Sequence, residues 1–201
     1  MTVISYPGDA VGDYDSLEAY IGPLLPQDES FAILGESFSG PLALRIAARG
    51  HGNLAAVILV ASFVTRPVAW MPASARQLLR PFVFRLPLRR PLLRWLLMGA
   101  NAPAELEDRT MESLEAVEPV ILARRVSAAL CVDATEAFIR CPVPIFYLGG
   151  SQDRLISPQI VRRLKALRPD LECPTLDAPH FVLQHEPVSA ANAISKFLSR
   201  C

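Results

Sequence analysis

Three residues of the chain have the chemistry of a nucleophilic catalyst: Ser37, Asp153 and His180. A serine hydroxyl is a weak nucleophile at neutral pH and needs a base to remove its proton. A histidine can act as that base, and a carboxylate beside it fixes its tautomer and stabilises the imidazolium that forms. Because each of the three follows its own predicted strand, the sequence predicts a serine nucleophile activated by a histidine and an aspartate.

Ser37 stands at the centre of a predicted sharp turn, within the sequence GESFSG of residues 35–40. The apolar run 31–34 before it predicts a strand, and the segment 41–49 after it has helical spacing. Such a reversal strains the backbone of its central residue and needs small neighbours, which the two glycines and Ser39 provide. A serine in a glycine-rich turn can also be a helix cap, but the strand before it and the later motifs favour a nucleophile.

The acid and the base each have rival candidates. Asp177 lies three residues before His180 and is an alternative to Asp153. We prefer Asp153, because a loop from a separate strand can bring a carboxylate to the far nitrogen of the histidine ring. His185 lies toward the last helix and His51 at the opposite end of the sheet, which favours His180 as the base.

The elements that must position these residues alternate between strands and helices. Strands are predicted at residues 3–6, 31–34, 55–61, 145–148 and 171–176, and helices at 15–25, 41–49, 157–167 and 187–198. The strand 55–61 is a continuous apolar run, typical of a strand buried on both faces of a parallel sheet. The alternation predicts an α/β domain with a mostly parallel sheet of about five strands, whose carboxyl ends gather the functional groups.

This alternation breaks between residues 65 and 140, where repeated prolines cut the chain into short helical pieces. We predict a helical cap inserted at 65–140, with residues 1–64 and 141–201 forming the core. Seven arginines and no acid lie between Arg66 and Arg94, and six acids with one arginine lie between Glu105 and Glu118. The two pieces are therefore predicted to pair. The apolar side chains of the first piece favour a lid over the sheet, with docking on a membrane or an oily substrate as the alternative.

The composition excludes several classes of protein. Twenty acidic and twenty basic residues cancel, so no overall field attracts the chain to nucleic acid. The four cysteines form no CxxC pair and no cluster with histidine, which argues against a zinc site and favours free thiols in a reducing cytoplasm. The N-terminus lacks the pattern of a signal peptide, and no apolar run approaches the roughly 20 residues of a membrane span.

Three short motifs carry the candidate residues: GESFSG at 35–40, GSQD at 150–153 and APHF at 178–181. In this order, with the helical interval between the first two, they resemble the nucleophile elbow, acid loop and histidine loop of the α/β-hydrolase superfamily, in particular its serine esterases and lipases. Ser39 replaces the second glycine of the family's G-x-S-x-G. The resemblance runs from residue 3 to residue 198. It implies a three-layer α/β sandwich with a cap and a Ser-His-Asp triad that requires no cofactor and no metal.

The resemblance also implies an oxyanion hole, and in this region the chain departs from the family. Members usually have two or three further strands before the one that residues 3–6 resemble, and the loop after the third supplies one oxyanion amide. The backbone N–H of Phe38, directly after the nucleophile, is one donor. We predict that the strand 3–6 lies beside the strand 31–34, so that the following loop brings the amide of Gly8 or Asp9 to the oxyanion.

The predicted function is hydrolysis of a small-molecule carboxylic ester through an acyl-serine intermediate. The apolar cap favours an uncharged acyl group of short to medium length over a sugar or phosphate compound. One alternative is a truncated hydrolase of little or no activity that acts as a binding or scaffold module. Another is interfacial contact with lipid through the cap. An uncovered sheet edge would also favour a homodimer.

Overall fold

The centre of the fold is a parallel sheet of four strands in the order β1-β2-β3-β4. The computed structural model describes residues 1–9, 12–67, 81 and 89–201. The strands are β1 (Phe31–Glu36), β2 (Leu54–Val60), β3 (Ile145–Gly150) and β4 (Thr175–Leu176). Because the strands run in the same direction, their carboxyl ends meet at one edge of the sheet, which confirms the predicted α/β class.

Helices pack on both faces of this sheet. In chain order the described helices are α1 (Tyr14–Ile21), α2 (Ser39–Ala48), α3 (Arg89–Leu93), α4 (Ala104–Glu115), α5 (Pro119–Cys131), α6 (Thr135–Ile139), α7 (Pro158–Leu167), α8 (Val182–His185) and α9 (Pro187–Leu198). A 3-10 turn (Gly22–Leu24) follows α1 and a π-helical turn (Arg94–Met98) follows α3. The helices α1, α2, α7 and α9 are those that the sequence predicts, with ends that differ by a few residues.

The side chains of β2 point alternately to two hydrophobic clusters. Val57 and Leu59 lie in a cluster with Phe138 of α6. Ile58, between them, lies in a second cluster with Phe197 of α9. Since successive side chains of a strand face opposite sides of the sheet, both faces of β2 are covered, as its continuous apolar sequence predicts.

The predicted strand at residues 3–6 is wrong. Residues 1–7 form neither helix nor strand, and within the described part of the chain β1 is paired with β2 on one side only. Ile4 and Tyr6 pack instead on the cluster of α1 and α2, which includes Leu17 and Leu42. Ile4 and Tyr6 are therefore partly buried against helices, and the sheet has four strands instead of about five.

Where the structure describes it, the interval between β2 and β3 contains the helices α3 to α6 and one isolated bridge between Thr65 and Asp133. Its basic and acidic pieces pair as predicted: Arg90 contacts Glu107 at 3.1 Å and also Asp108, and Arg94 contacts Glu107. Residues 68–80 and 82–88, most of the arginine-rich piece, lie outside the described residues. Phe138 near the end of the interval is fully buried in the core, so this end packs on the sheet. No helix in the described ranges is long and apolar enough to cross a membrane.

Candidate active site

Ser37 lies in the tight turn between β1 and α2, at the carboxyl edge of the sheet. Its φ angle is +49°, in the left-handed region that non-glycine residues rarely adopt. Three hydrogen bonds hold this backbone: the Ser37 N–H donates to Val60 O at 2.9 Å, and the Ser37 carbonyl accepts from Gly40 N–H at 3.1 Å and from the Ser62 hydroxyl at 2.7 Å. The surrounding structure therefore fixes the strained conformation that the sequence predicts.

Gly40 allows α2 to approach β2 at this turn. A Cβ atom at position 40 would collide with the Ser62 hydroxyl and lie 2.7 Å from Ser62 Cβ. Ser62 was not among the predicted site residues. It comes just after the end of β2, so the rule that functional groups gather at the carboxyl ends of strands could have found it.

His180 joins the other two candidate residues. Its Nε2 lies 2.8 Å from Ser37 Oγ, and its Nδ1 lies 2.9 Å from Asp153 Oδ2. The His180 and Asp153 side chains are only 1% and 3% exposed. Because a carboxylate can only accept a hydrogen bond, the neutral ring carries its proton on Nδ1, which leaves Nε2 to accept the Ser37 proton. The structure thus brings together the three residues that the sequence singles out.

The acid loop after β3 holds Asp153 in one orientation. Its Oδ1 accepts hydrogen bonds from the N–H groups of Leu155 and Ile156, both at 2.8 Å. This leaves Oδ2 for His180. Gly150 brings the acid loop against the histidine loop, since a Cβ atom at position 150 would lie 2.5 Å from the carbonyl oxygen of Pro179.

The rival acid, Asp177, has different partners. Its carboxylate is exposed and accepts hydrogen bonds from Gln152 Nε2 at 2.9 Å and Ser151 Oγ at 2.8 Å. These two hydrogen bonds lower the pKa of Asp177. His185 lies in α8, and His51 precedes β2 at the opposite edge of the sheet. The hydrogen-bonded chain therefore includes none of the three rival residues.

The Phe38 amide lies at the N-terminal end of α2, where the helix dipole favours negative charge. The residue is held on both sides: the Tyr14 hydroxyl donates to its carbonyl at 3.0 Å, and the two rings stack with centroids 4.8 Å apart. Burial raises the pKa of Tyr14, so this hydroxyl stays protonated and remains a donor.

The segment that contains the predicted second donor lies against the cap interval. The Gly8 carbonyl accepts a hydrogen bond from the Glu118 N–H at 3.0 Å, and the Pro7 carbonyl accepts one from Arg125 at 2.5 Å. The segment also reaches the Ser37 turn, because the Tyr6 hydroxyl lies 2.6 Å from Ser39 Oγ. Residues 10 and 11 of the predicted oxyanion loop are outside the described residues. The role of the Gly8 or Asp9 amide stays a prediction.

A cavity of about 450 Å³ borders the acid and histidine loops. Its lining includes Met98, Gln152, Arg154, Asp177 and Pro179. Arg154 is held at its rim, where the guanidinium donates to the Trp95 carbonyl at 2.8 Å and lies over the Trp95 ring. Across the described ranges, no group of three or more His, Cys, Asp or Glu side chains is arranged to hold a metal ion.

Glu36 is a second residue of the site that was not among the predicted site residues. It is the last residue of β1, and Gln184 of α8 donates a hydrogen bond to its Oε2 at 3.2 Å. Its other carboxyl oxygen, Oε1, is buried without a hydrogen-bond partner in the described part of the protein. Burial raises the pKa of Glu36 despite opposing effects of Gln184 and His180. Its position directly before the candidate nucleophile Ser37 is the sequence feature from which a role in the site could have been predicted.

A sequence model described as the alpha/beta hydrolase family matches residues 4–193. No curated protein matches the sequence significantly.

Several solved structures share the fold. A bromoperoxidase from Bacillus anthracis is 13% identical, with a TM-score of 0.81, over 97% of this chain and 77% of the other. An esterase from Exiguobacterium antarcticum is 14% identical, with a TM-score of 0.78, over 93% and 74%. A thermophilic esterase from Thermogutta terrifontis is 19% identical, with a TM-score of 0.75, over 93% and 71%. At these identities the likeness shows the fold alone.

Proposed function

Since the chain belongs to the alpha/beta hydrolase family, we propose that it is a serine hydrolase that cleaves carboxylic esters with acyl groups of short to medium length. One observation carries this proposal: the continuous hydrogen-bonded chain from Ser37 Oγ through His180 to Asp153. A nucleophile, a base and a group that orients the base are the parts that acyl transfer through serine requires.

The proposed reaction has two stages. Ser37 Oγ attacks the ester carbonyl carbon while His180 Nε2 takes the hydroxyl proton, and Asp153 stabilises the resulting imidazolium. His180 then gives this proton to the leaving alcohol as the bond between the carbonyl carbon and the alkoxy oxygen breaks. In the second stage water, deprotonated by His180, attacks the acyl-serine, and the proton returns to Ser37 Oγ as the carboxylic acid leaves.

Charge on the carbonyl oxygen needs donors during both stages. The Phe38 N–H is the proposed first donor, supported by its position beside the nucleophile at the start of α2. The amide of Gly8 or Asp9 is the proposed second donor. Support for this comes from the hydrogen bond between Tyr6 and Ser39, which ties that segment to the Ser37 turn.

Two observations support an ester substrate with an apolar acyl group. Esterases are among the structural neighbours. We propose residues 65–140 as the cap over the site, in which Leu92 and Trp95 are 58% and 57% exposed. Exposed apolar side chains on a cap suit an uncharged acyl group, and they would also allow contact with lipid at an interface.

We also propose a cytoplasmic location and self-association as a dimer. Among the described residues, Cys141, Cys173 and Cys201 form no disulfide, which suits a reducing compartment. Within the described residues one side of β1 has no partner strand, and Leu34 on this strand is 40% exposed. This favours a homodimer, because unpaired strand edges associate readily. Size-exclusion chromatography with light scattering tests the dimer, and a monomer at all concentrations would contradict it.

A panel of p-nitrophenyl esters of increasing acyl length tests the proposed function. Ser37→Ala is expected to lower kcat by about 10⁴-fold or more, whereas Ser113→Ala, at an exposed serine of α4, should have no effect. Undiminished turnover by Ser37→Ala would refute the assignment. A fluorophosphonate probe, with the modified residue identified by mass spectrometry, separates a wrong substrate class from an inactive site. Absence of both turnover and labelling would favour the binding-module alternative.

A further inference from the structure

Glu36 joins the strand that carries the nucleophile to the helix that follows the base. It directly precedes Ser37, and its hydrogen-bond donor, Gln184, comes four residues after His180. The Ser37 hydroxyl and the His180 ring are themselves 2.8 Å apart. The β1 end and the histidine segment are thus linked twice, once through the proposed reacting atoms and once through the pair of Glu36 and Gln184.

The second link is built from a carboxyl group in an unfavourable setting. Glu36 Oε1 is buried without a partner in the described residues, and the residue opposite Glu36 on β2 is the apolar Val60. A buried polar atom without a partner costs stability and is unusual in folded proteins. Such a cost is commonly found at functional sites, where the group serves the reaction and not the fold.

Gln184 and His180 are the two groups that act on the Glu36 carboxyl within the described part of the chain, and His185 follows Gln184 on α8. Gln184 of α8 donates a hydrogen bond to Glu36 without carrying a charge, and the charge of His180 acts on the Glu36 carboxyl and lowers its pKa. His180 is also contacted by Asp153 from the acid loop and by the Ser37 hydroxyl. An ionised Glu36 therefore adds a second negative charge near the ring, on the side of the nucleophile strand.

We propose that Glu36 is a positioning residue for the Ser37–His180 pair. Its link to Gln184 holds the histidine segment at the end of β1, and its carboxylate stabilises the imidazolium that forms when Ser37 attacks. This inference rests on the proposed function, because it assigns Glu36 a part in the same reaction. The carboxylate takes no proton from the substrate and does not replace Asp153, which orients the ring through Nδ1.

The test is Glu36→Gln, which keeps the size of the side chain and an oxygen that can accept from Gln184, but removes the charge. The negative charge favours protonation of His180, so its loss should move the acid limb of the kcat/KM profile to lower pH by about one pH unit. The plateau kcat is expected to fall about tenfold with KM unchanged. Glu172→Gln, at an exposed carboxylate paired with Arg200, is the matched control and should leave the profile in place.

Two further measurements test the proposal, one by a readout other than turnover and one with a second variant. The ring proton signals of His180, assigned with His180→Gln, should titrate at lower pH in Glu36→Gln than in the parent protein. Gln184→Ala should also lower kcat, but by a smaller factor than Glu36→Gln does. An unchanged NMR titration in Glu36→Gln would overturn the inference, even with Ser37→Ala inactive. If Ser37→Ala kept its turnover, the proposed function itself would fail.

Discussion

The hydroxyl of Ser62 donates a 2.7 Å hydrogen bond to the carbonyl oxygen of Ser37. Ser62 is completely buried, and its own carbonyl accepts a hydrogen bond from the Tyr147 hydroxyl at 3.1 Å. Tyr147 lies on β3, the strand that leads to Asp153. A buried series of hydrogen bonds therefore runs beneath the site from the turn of the nucleophile to the strand of the acid.

Gly40→Ala is expected to break this support, because the new Cβ would collide with the Ser62 hydroxyl. Overpacking of this kind costs about 1–3 kcal/mol of the free energy of unfolding. Displacement of the Ser37 turn should also lower kcat/KM by about 10²-fold. Urea unfolding and ester hydrolysis measure the two effects.

Ser62→Gly supplies the matched test of this explanation, since it removes the side chain that the new methyl group meets. The double variant should be more stable than the sum of the two single losses predicts, by about 1 kcal/mol or more. Additive losses in the double-mutant cycle would mean that the clash lies elsewhere.

The choice between the two candidate acids gives a second prediction. Asp153→Asn keeps an oxygen for the Leu155 and Ile156 amides but no longer fixes the tautomer of His180, and kcat should fall about 10³- to 10⁴-fold. Asp177→Asn changes an exposed carboxylate whose hydrogen bonds come from Ser151 and Gln152, so we expect kcat/KM within about twofold of the parent value. The reverse ranking of the two variants would identify Asp177 as the acid.

The strands and the three candidate residues could be predicted because their signals are local. The strand 55–61 is apolar at every position because helices cover both of its faces. Such a run predicts a buried strand even when the covering helices are not known. Ser37, Asp153 and His180 each follow a strand. Because parallel strands end at one edge of a sheet, sequence order alone indicates that these residues are close together.

Residues 3–6 show what a local pattern cannot decide. A short run rich in β-branched and aromatic side chains suits a strand and also an extended segment that packs on helices, and the choice depends on the partner surface. Here Ile4 and Tyr6 find that surface on α1 and α2. The hydrogen bond between Glu36 and Gln184 joins residues 148 positions apart. The sequence around either residue does not indicate that the other is its hydrogen-bond partner.

Tyr6→Phe tests whether the N-terminal segment supports the nucleophile turn. The substitution removes the hydroxyl that lies 2.6 Å from Ser39 Oγ, where α2 begins. Loss of this partly buried hydrogen bond should cost about 1 kcal/mol of unfolding free energy. If the segment also carries the second oxyanion donor, kcat/KM should fall severalfold while KM changes little.

Tyr20→Phe is the matched control, since Tyr20 is an exposed tyrosine on α1. It should change neither stability nor activity. Equal effects of the two substitutions on kcat/KM would show that the Tyr6 hydroxyl has no particular part in the site.

Glu36→Gln should increase stability at neutral pH while it lowers activity. Burial raises the pKa of Glu36 above its ordinary value, so the unfolded chain ionises this carboxyl at lower pH than the folded protein does. The parent protein therefore loses stability as the pH rises from the ordinary glutamate range through the raised pKa, and the variant does not. The difference in Tm should be small at pH 4 and grow toward pH 7, to about 2–4 °C for a gain of about 1 kcal/mol.

If Glu36→Gln were less stable than the parent protein at pH 7, the carboxylate would stabilise the folded state. A gain in stability with a loss of kcat is the combination expected of a residue kept for its function.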